Sequence, residues 1–203
     1  MLLNIPNLLT ISRILVIPVI VGLFYLEGDG ARWLALALFI LAGITDYFDG
    51  YFARRWAQIS PFGRFLDPIA DKLLVAAVIL ILVAADHIAG WVVLPALIIL
   101  CREVLVSGLR EFLAQANVGV PVSRLAKWKT MLQMVALGFL LIGDVADPWV
   151  TWVGETGLWI AAALTIVTGY DYLHAGLKHI TTEEQPAAKE TPRRLAEPSR
   201  RGG

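Results

Sequence analysis

Asp46, Asp49, Asp67 and Asp71 fall within 26 consecutive residues of a chain that is otherwise strongly apolar. Gly50, Ala53, Arg54 and Gly63 stand between and beside them. Asp46 and Asp49 are three residues apart, and Asp67 and Asp71 four apart. Both spacings put two carboxylates on one face of a helix. The stretch from Arg55 to Leu66 is short, so the two helices are expected to be antiparallel neighbours with the carboxylates converging at one end. Pro68 suits a first helical turn, which would place Asp67 near the N-cap and Gly63 in the preceding loop. Four carboxylates do not stay ionised together unless positive charge compensates them. Arg54, Arg64 and Lys72 supply part of that charge, and one or two divalent cations would supply more. Ligation by oxygen alone points to a hard ion, Mg²⁺ or Mn²⁺, rather than zinc. Mg²⁺ held by a few carboxylates commonly completes its shell with substrate phosphates, so the chemistry in view is that of phosphate groups. A purely structural salt-bridge network would need four matching basic partners, which the neighbourhood does not provide. Gly50 and Ala53 would let a nucleotide or another backbone approach closely, or simply serve helix packing.

The elements that must hold these residues are long apolar blocks. Of 203 residues, 58% are hydrophobic and 17% charged, where a soluble domain carries about a quarter charged. Six blocks lie at roughly 8–26, 33–53, 69–85, 90–112, 128–143 and 157–176. Each is near the roughly 17 to 25 residues that cross a bilayer, the fifth being the shortest. In lipid such blocks must be helices, because the backbone has no water to bond. The expected fold is therefore all-α, a polytopic membrane protein with six transmembrane helices over residues 1–180. A disordered cytoplasmic tail of mixed charge is expected over 181–203. The start, Met1 to Asn7, has no basic region and does not read as a cleavable signal peptide. Asn7 and Thr10 fit a cap or a polar face of the first helix.

Basic residues set the orientation. Connections near 27–32, 86–89 and 144–156 carry six acidic residues and only Arg32 as a base. The alternate connections hold Arg54, Arg55, Arg64 and Lys72, then Arg110, Arg124, Lys127 and Lys129. The positive-inside rule puts both termini and the basic loops in the cytoplasm. The formal net charge of zero conceals this segregation. Cys101 is the only cysteine, which excludes an intrachain disulfide and a cysteine metal cluster. His87, His174 and His179 lie near span ends without ligand spacing and are assigned interfacial roles. Trp33, Trp91, Trp149, Trp152 and Trp159 near the outer boundaries, with Trp56 and Trp128 near the inner ones, form an aromatic belt.

The string Asp46-x2-Asp49-Gly50-x2-Ala53-Arg54-x8-Gly63-x3-Asp67-x3-Asp71 resembles, at every fixed position, the signature of the CDP-alcohol phosphatidyltransferases. The resemblance implies a six-helix membrane fold and a dimetal site, two Mg²⁺ or Mn²⁺ ions, in which Asp46, Asp49 and Asp67 bind the metals. Asp71 would also hold a metal or act as general base. Asp46, Gly50, Ala53, Arg54 and Gly63 would lie along the CDP moiety. The implied reaction moves a phosphatidyl group from CDP-diacylglycerol to sn-glycerol 3-phosphate and releases CMP. Further similarity runs through Asn4–Arg13, Arg102–Glu111, Lys127–Met134 and Thr168–Tyr172. A homodimer in a bacterial inner membrane, facing the cytoplasm with its active site, is the expected setting. Lipids and the two substrates are the expected partners, and nucleic acid is not.

The acceptor carries a phosphate of its own. Arg102 and Arg110, with Ser107 nearby, are the leading candidates to meet it, because guanidinium forks bind phosphate oxygens in pairs. Arg124, Lys127 and Lys129 are further candidates, for which plain positive-inside topology is the rival reading. Glu103 and Glu111 could orient the arginines. Other readings stay open: a same-family enzyme making phosphatidylinositol phosphate, phosphatidylserine or cardiolipin; an intramembrane prenyltransferase; a divalent-cation transporter. Transporters place such carboxylates near the midplane on broken helices, whereas these cluster at one edge.

Overall fold

The computed structural model describes residues 5–55, 61–115 and 124–183, with the side chains of 5, 6, 47–55, 61, 62, 64, 115, 124, 171 and 174–183 outside that description. Every α or 3-10 element among the described residues is helical: α1 (Ile5–Leu23), α2 (Asp29–Arg55), α3 (Pro61–Ala84), α4 (Val93–Gln115), α5 (Arg124–Leu141) and α6 (Pro148–Glu183), with one 3-10 turn (Gly90–Val92) leading into α4. Two segments are long and apolar enough to cross a membrane by that measure, Gly90–Ala114 and Pro148–Tyr170, and Asn7–Leu23 is a shorter apolar helix. The polar residues at the ends of α2 and α3 are those of the aspartate motif.

Several helix boundaries differ from expectation; α6, for one, starts at Pro148, inside the connection expected over 144–156. The third helix starts at Pro61 rather than near Asp67, so Gly63, Asp67 and Pro68 all lie inside it and not in a loop, an N-cap and a first turn. Pro61 is the proline that fits a first helical position, where its missing N–H is not needed. Pro68 is tolerated inside the helix, as prolines often are in membrane helices. The sixth helix runs to Glu183, three residues into the expected tail; the remainder of the tail lies outside the described residues.

The helices form two groups. Helix α1 packs along both α2 and α3, while α6 packs along α5 and α4. Helices α2 and α3 touch α5, and α3 touches α4, joining the groups. The apolar core gathers Ile20 and Leu23 from α1, Ala35 and Phe39 from α2, and Leu74, Val78 and Leu82 from α3. Ile99, Leu137, Leu140 and Leu158 complete it from α4, α5 and α6. Most of these residues lie toward the helix ends away from Asp46 and Asp71, although Leu74 stands one turn from Asp71. The core is thus weighted to one end of the helices.

The core end is closed by a polar clasp. Arg32 Nε lies 2.9 Å from Asp144 Oδ2, and Arg32 Nη1 donates to the Leu23 carbonyl at 3.2 Å. Arg32 also stacks over Phe24, 4.2 Å from its centroid. His87 Nδ1 is 2.8 Å from the Leu140 carbonyl and its Nε2 3.5 Å from Asp144 Oδ2. His87 is therefore a structural partner of Asp144, not an isolated interfacial residue. Gly28, at φ +108°, makes the turn from α1 into α2 that brings Arg32 there. Trp33, Trp91, Trp128, Trp149, Trp152 and Trp159 are all exposed, consistent with a belt, and Trp56 lies outside the described residues.

Small residues set the closest helix contact. A Cβ on Gly154 would stand 2.8 Å from Leu140 Cγ and 3.2 Å from the Ala136 carbonyl, and one on Gly157 3.0 Å from Ala136 Cβ. Leu140 is fully buried and has no room to retreat. Gly154→Val is expected to force α5 and α6 apart and destabilise the protein by about 1–3 kcal/mol. Thermal unfolding in detergent checks this, with Ala163→Val on an exposed position of the same helix as the control.

Candidate active site

One face of α1 is polar although the helix is otherwise apolar: Asn7, Thr10 and Arg13 recur every third residue and are 1%, 0% and 2% exposed. That face meets the aspartate-bearing ends of α2 and α3. Arg13 Nη1 lies 3.1 Å from Asp46 Oδ1 and also pairs with Asp71 Oδ1. The Thr10 hydroxyl donates to Asp67 Oδ1. Asp46 from α2 and Asp71 from α3 thus meet at a single nitrogen, and Asp67 is held one turn away on α3. The Arg13 side chain is 1% exposed, whereas those of Asp46 and Asp71 are 46% and 42% exposed. The cation lies inside and the carboxylates open outward.

Asp49, Gly50, Ala53 and Arg54 continue along the last turns of α2, but their side chains lie outside the described residues. Gly63 is buried in the first turn of α3. Among the described residues, no three Asp, Glu, His or Cys side chains are gathered closely enough to hold a metal ion. The donors that are described nevertheless fit a hard divalent cation. They are all carboxylate oxygens, two of them converge from separate helices, and they face an open side. Thr10 and Arg13 were legible only as polar residues at helical spacing in an apolar run; nothing in that pattern named what they faced.

A second polar seam runs between α4, α5 and α6. Glu103 Oε1 pairs with Lys129 Nζ and lies 3.4 Å from Arg102 Nη1. Arg102 Nη2 donates to Thr168 Oγ1 at 3.2 Å, and that hydroxyl donates in turn to the Leu164 carbonyl at 2.8 Å. The Arg102 guanidinium sits 5.7 Å from the centroid of the Tyr172 ring. A Cβ on Gly169 would come within 3.2 Å of Arg102 Cγ, so the bare glycine is what lets Arg102 lie against α6. Lys129 is 2% exposed. Arg102 Nε, Gln133 Oε1 and Thr165 Oγ1 are buried without a hydrogen-bond partner, which marks the seam as more polar than its own bonds require. Lys72, next to Asp71, donates to the Pro68 carbonyl at 3.0 Å, and α3 touches both α4 and α5, the helices that carry Arg102, Glu103 and Lys129.

The basic residues expected from the sequence therefore divide. Arg102 and Lys129 are brought together through Glu103, with Ser107 half-buried further along α4. Arg110 and Lys127 are exposed, and the Arg124 side chain lies outside the described residues.

Comparison with known proteins identifies the family. Residues 3–167 match the profile of the CDP-alcohol phosphatidyltransferases. A CDP-diacylglycerol–glycerol-3-phosphate 3-phosphatidyltransferase of Rickettsia typhi is 55% identical over 174 residues, covering 85% of this chain and 96% of the relative. Proteins of the same name from Shigella flexneri and Cereibacter sphaeroides are 44% and 41% identical. The alignments cover 85% and 89% of this chain, and 94% and 99% of those relatives. The chain belongs to the CDP-alcohol phosphatidyltransferase family.

Proposed function

We propose that the protein is a phosphatidylglycerophosphate synthase, which joins CDP-diacylglycerol to sn-glycerol 3-phosphate and releases CMP. The observation that carries this is the identity of 41–55%, over nearly whole chains, to enzymes named for that reaction. The site's chemistry agrees with it. Phosphoryl transfer needs charge neutralisation and in-line positioning more than covalent chemistry.

Asp46, Asp49, Asp67 and Asp71 would hold two Mg²⁺ or Mn²⁺ ions, which supply neutralising charge for the pyrophosphate and the leaving CMP. Asp71 accepts the proton of the acceptor hydroxyl as its oxygen attacks the phosphatidyl phosphorus. The bond from that phosphorus to the CMP oxygen breaks, and its electron pair leaves with CMP. Gly50, Ala53, Arg54 and Gly63 line the CDP moiety. Arg102 and Lys129 bind the acceptor phosphate from the seam beside the cluster. Their burial makes each charge-assisted contact strong. The exposed Arg110 and Lys127, with Ser107 and Arg124, belong to the approach to that seam.

All six helices span the bilayer in this reading, with the aspartate end at the cytoplasmic face, supported by the distribution of Lys and Arg. A homodimer is the proposed assembly, supported by the family resemblance. The test is purified protein offered glycerol 3-phosphate, serine, inositol phosphate and phosphatidylglycerol, each with CDP-diacylglycerol. CMP release is expected with glycerol 3-phosphate, and preference for another acceptor overturns the assignment.

A further inference from the structure

We propose that Arg13 is a built-in counter-cation of the aspartate cluster. As a positioning residue, it holds Asp46 and Asp71 together from the protein interior and limits how tightly the site takes divalent ions in the absence of substrate. The proposal rests on the metal-binding reading above and concerns a residue of α1, outside the aspartate motif.

Three observations carry it. First, one nitrogen of Arg13 contacts Oδ1 of carboxylates that belong to different helices, so it ties α2 to α3 at the site itself. Second, Arg13 is among the largest fully buried side chains of the protein, while the carboxylates it pairs with are nearly half exposed. It approaches them from behind and leaves the open side for ions and pyrophosphate. Third, an arginine stays charged at any pH the protein meets, so the compensation it gives is permanent. Asp46 and Asp71 would repel one another without it, and each carboxylate is less negative toward the open side with it. A fixed positive charge this close to the ion positions opposes their occupation. Full occupation then depends on the added negative charge of the CDP-lipid, so ions and substrate bind in support of each other.

The experiment is Mn²⁺ titration by electron paramagnetic resonance, with thermal unfolding in EDTA and in saturating Mn²⁺, on wild type, Arg13→Gln and Arg13→Lys in detergent. Arg13→Gln is expected to bind Mn²⁺ on the order of tenfold more tightly than wild type. Its melting temperature in EDTA should fall by roughly 10 °C, and Mn²⁺ should restore most of that loss. Arg13→Lys, which keeps the charge, should lie between the two in both measurements. An Arg13 that merely supports packing would lower the melting temperature equally in EDTA and Mn²⁺ and leave the Mn²⁺ affinity unchanged, and that result overturns the proposal, as does weaker Mn²⁺ binding. Should Arg13→Gln not fold, the double variant Arg13→Gln/Asp46→Asn removes one charge of each sign. It is expected to fold and to melt in EDTA close to Asp46→Asn alone, and its failure to fold overturns the proposal. Absence of Mn²⁺ binding by wild type and Arg13→Gln alike, even with CDP-diacylglycerol present, would overturn the metal reading, whereas binding of equal affinity in the two overturns the Arg13 proposal alone.

Discussion

Asp71→Asn should reduce CMP release by about 10³-fold or more while leaving a folded protein that still binds CDP-lipid. The substitution is nearly isosteric, and the asparagine amide oxygen can still accept the hydrogen bond that Arg13 Nη1 gives to Asp71 Oδ1. The tie between α1 and α3 therefore survives. What disappears is the negative charge and the basic oxygen. Loss of a general base alone removes about 10² to 10⁴ in rate, and loss of a metal-binding charge adds to it. The decisive comparison sets CMP release beside thermal stability and CDP-lipid binding in the same preparation. Turnover within about tenfold of wild type would remove Asp71 as the base. Asp67→Asn is the informative companion. Its carboxylate is held by the Thr10 hydroxyl, so a loss confined to metal dependence would separate an ion-binding role from proton transfer.

The aspartate pairs could be read in the sequence because their spacing, three and four residues, is a local property of a helix. The presence of helices and most of their extents were legible for the same reason. What no local spacing reveals is which helix faces which. Arg13 lies 33 residues before Asp46, and its pairing depends on α1 packing against both α2 and α3. The signal that was present is the run Asn7, Thr10, Arg13, a polar stripe along an apolar helix, which in such a chain has to face something polar. The start of α3 is ambiguous in the sequence because two prolines, Pro61 and Pro68, both suit a helix start. The apolar block begins after the second, but the helix begins at the first. Lys129 reads in the sequence as a candidate for the acceptor phosphate, with plain positive-inside topology as the rival, and neither reading implies that it is buried. Its burial follows from Glu103, 26 residues earlier on another helix.

That buried pair carries the second large effect. Lys129 and Arg102 both lean on Glu103, with side chains 3%, 13% and 22% exposed respectively. Glu103→Gln removes the negative charge and leaves two cations facing each other in a low-dielectric seam. Breaking a buried pair in this way destabilises by about 3–5 kcal/mol, which corresponds to a fall in melting temperature of roughly 10 °C for a chain of this size. Lys129→Met should be milder, because Glu103 keeps Arg102 at 3.4 Å and stays compensated. The double variant Glu103→Gln/Lys129→Met should recover most of the stability, since it leaves one cation with a neutral partner. Activity then separates two reasons for the pair's existence. A buried ion pair is seldom the most stable way to fill a seam, and an apolar replacement can match it. If the pair exists to present a cation to the acceptor phosphate, the double variant should be stable yet raise the KM for glycerol 3-phosphate by tenfold or more, with the KM for CDP-diacylglycerol nearly unchanged. Equal rises in both constants would instead place the pair in the architecture common to both substrates, and leave Arg102 as the seam's contact with the acceptor.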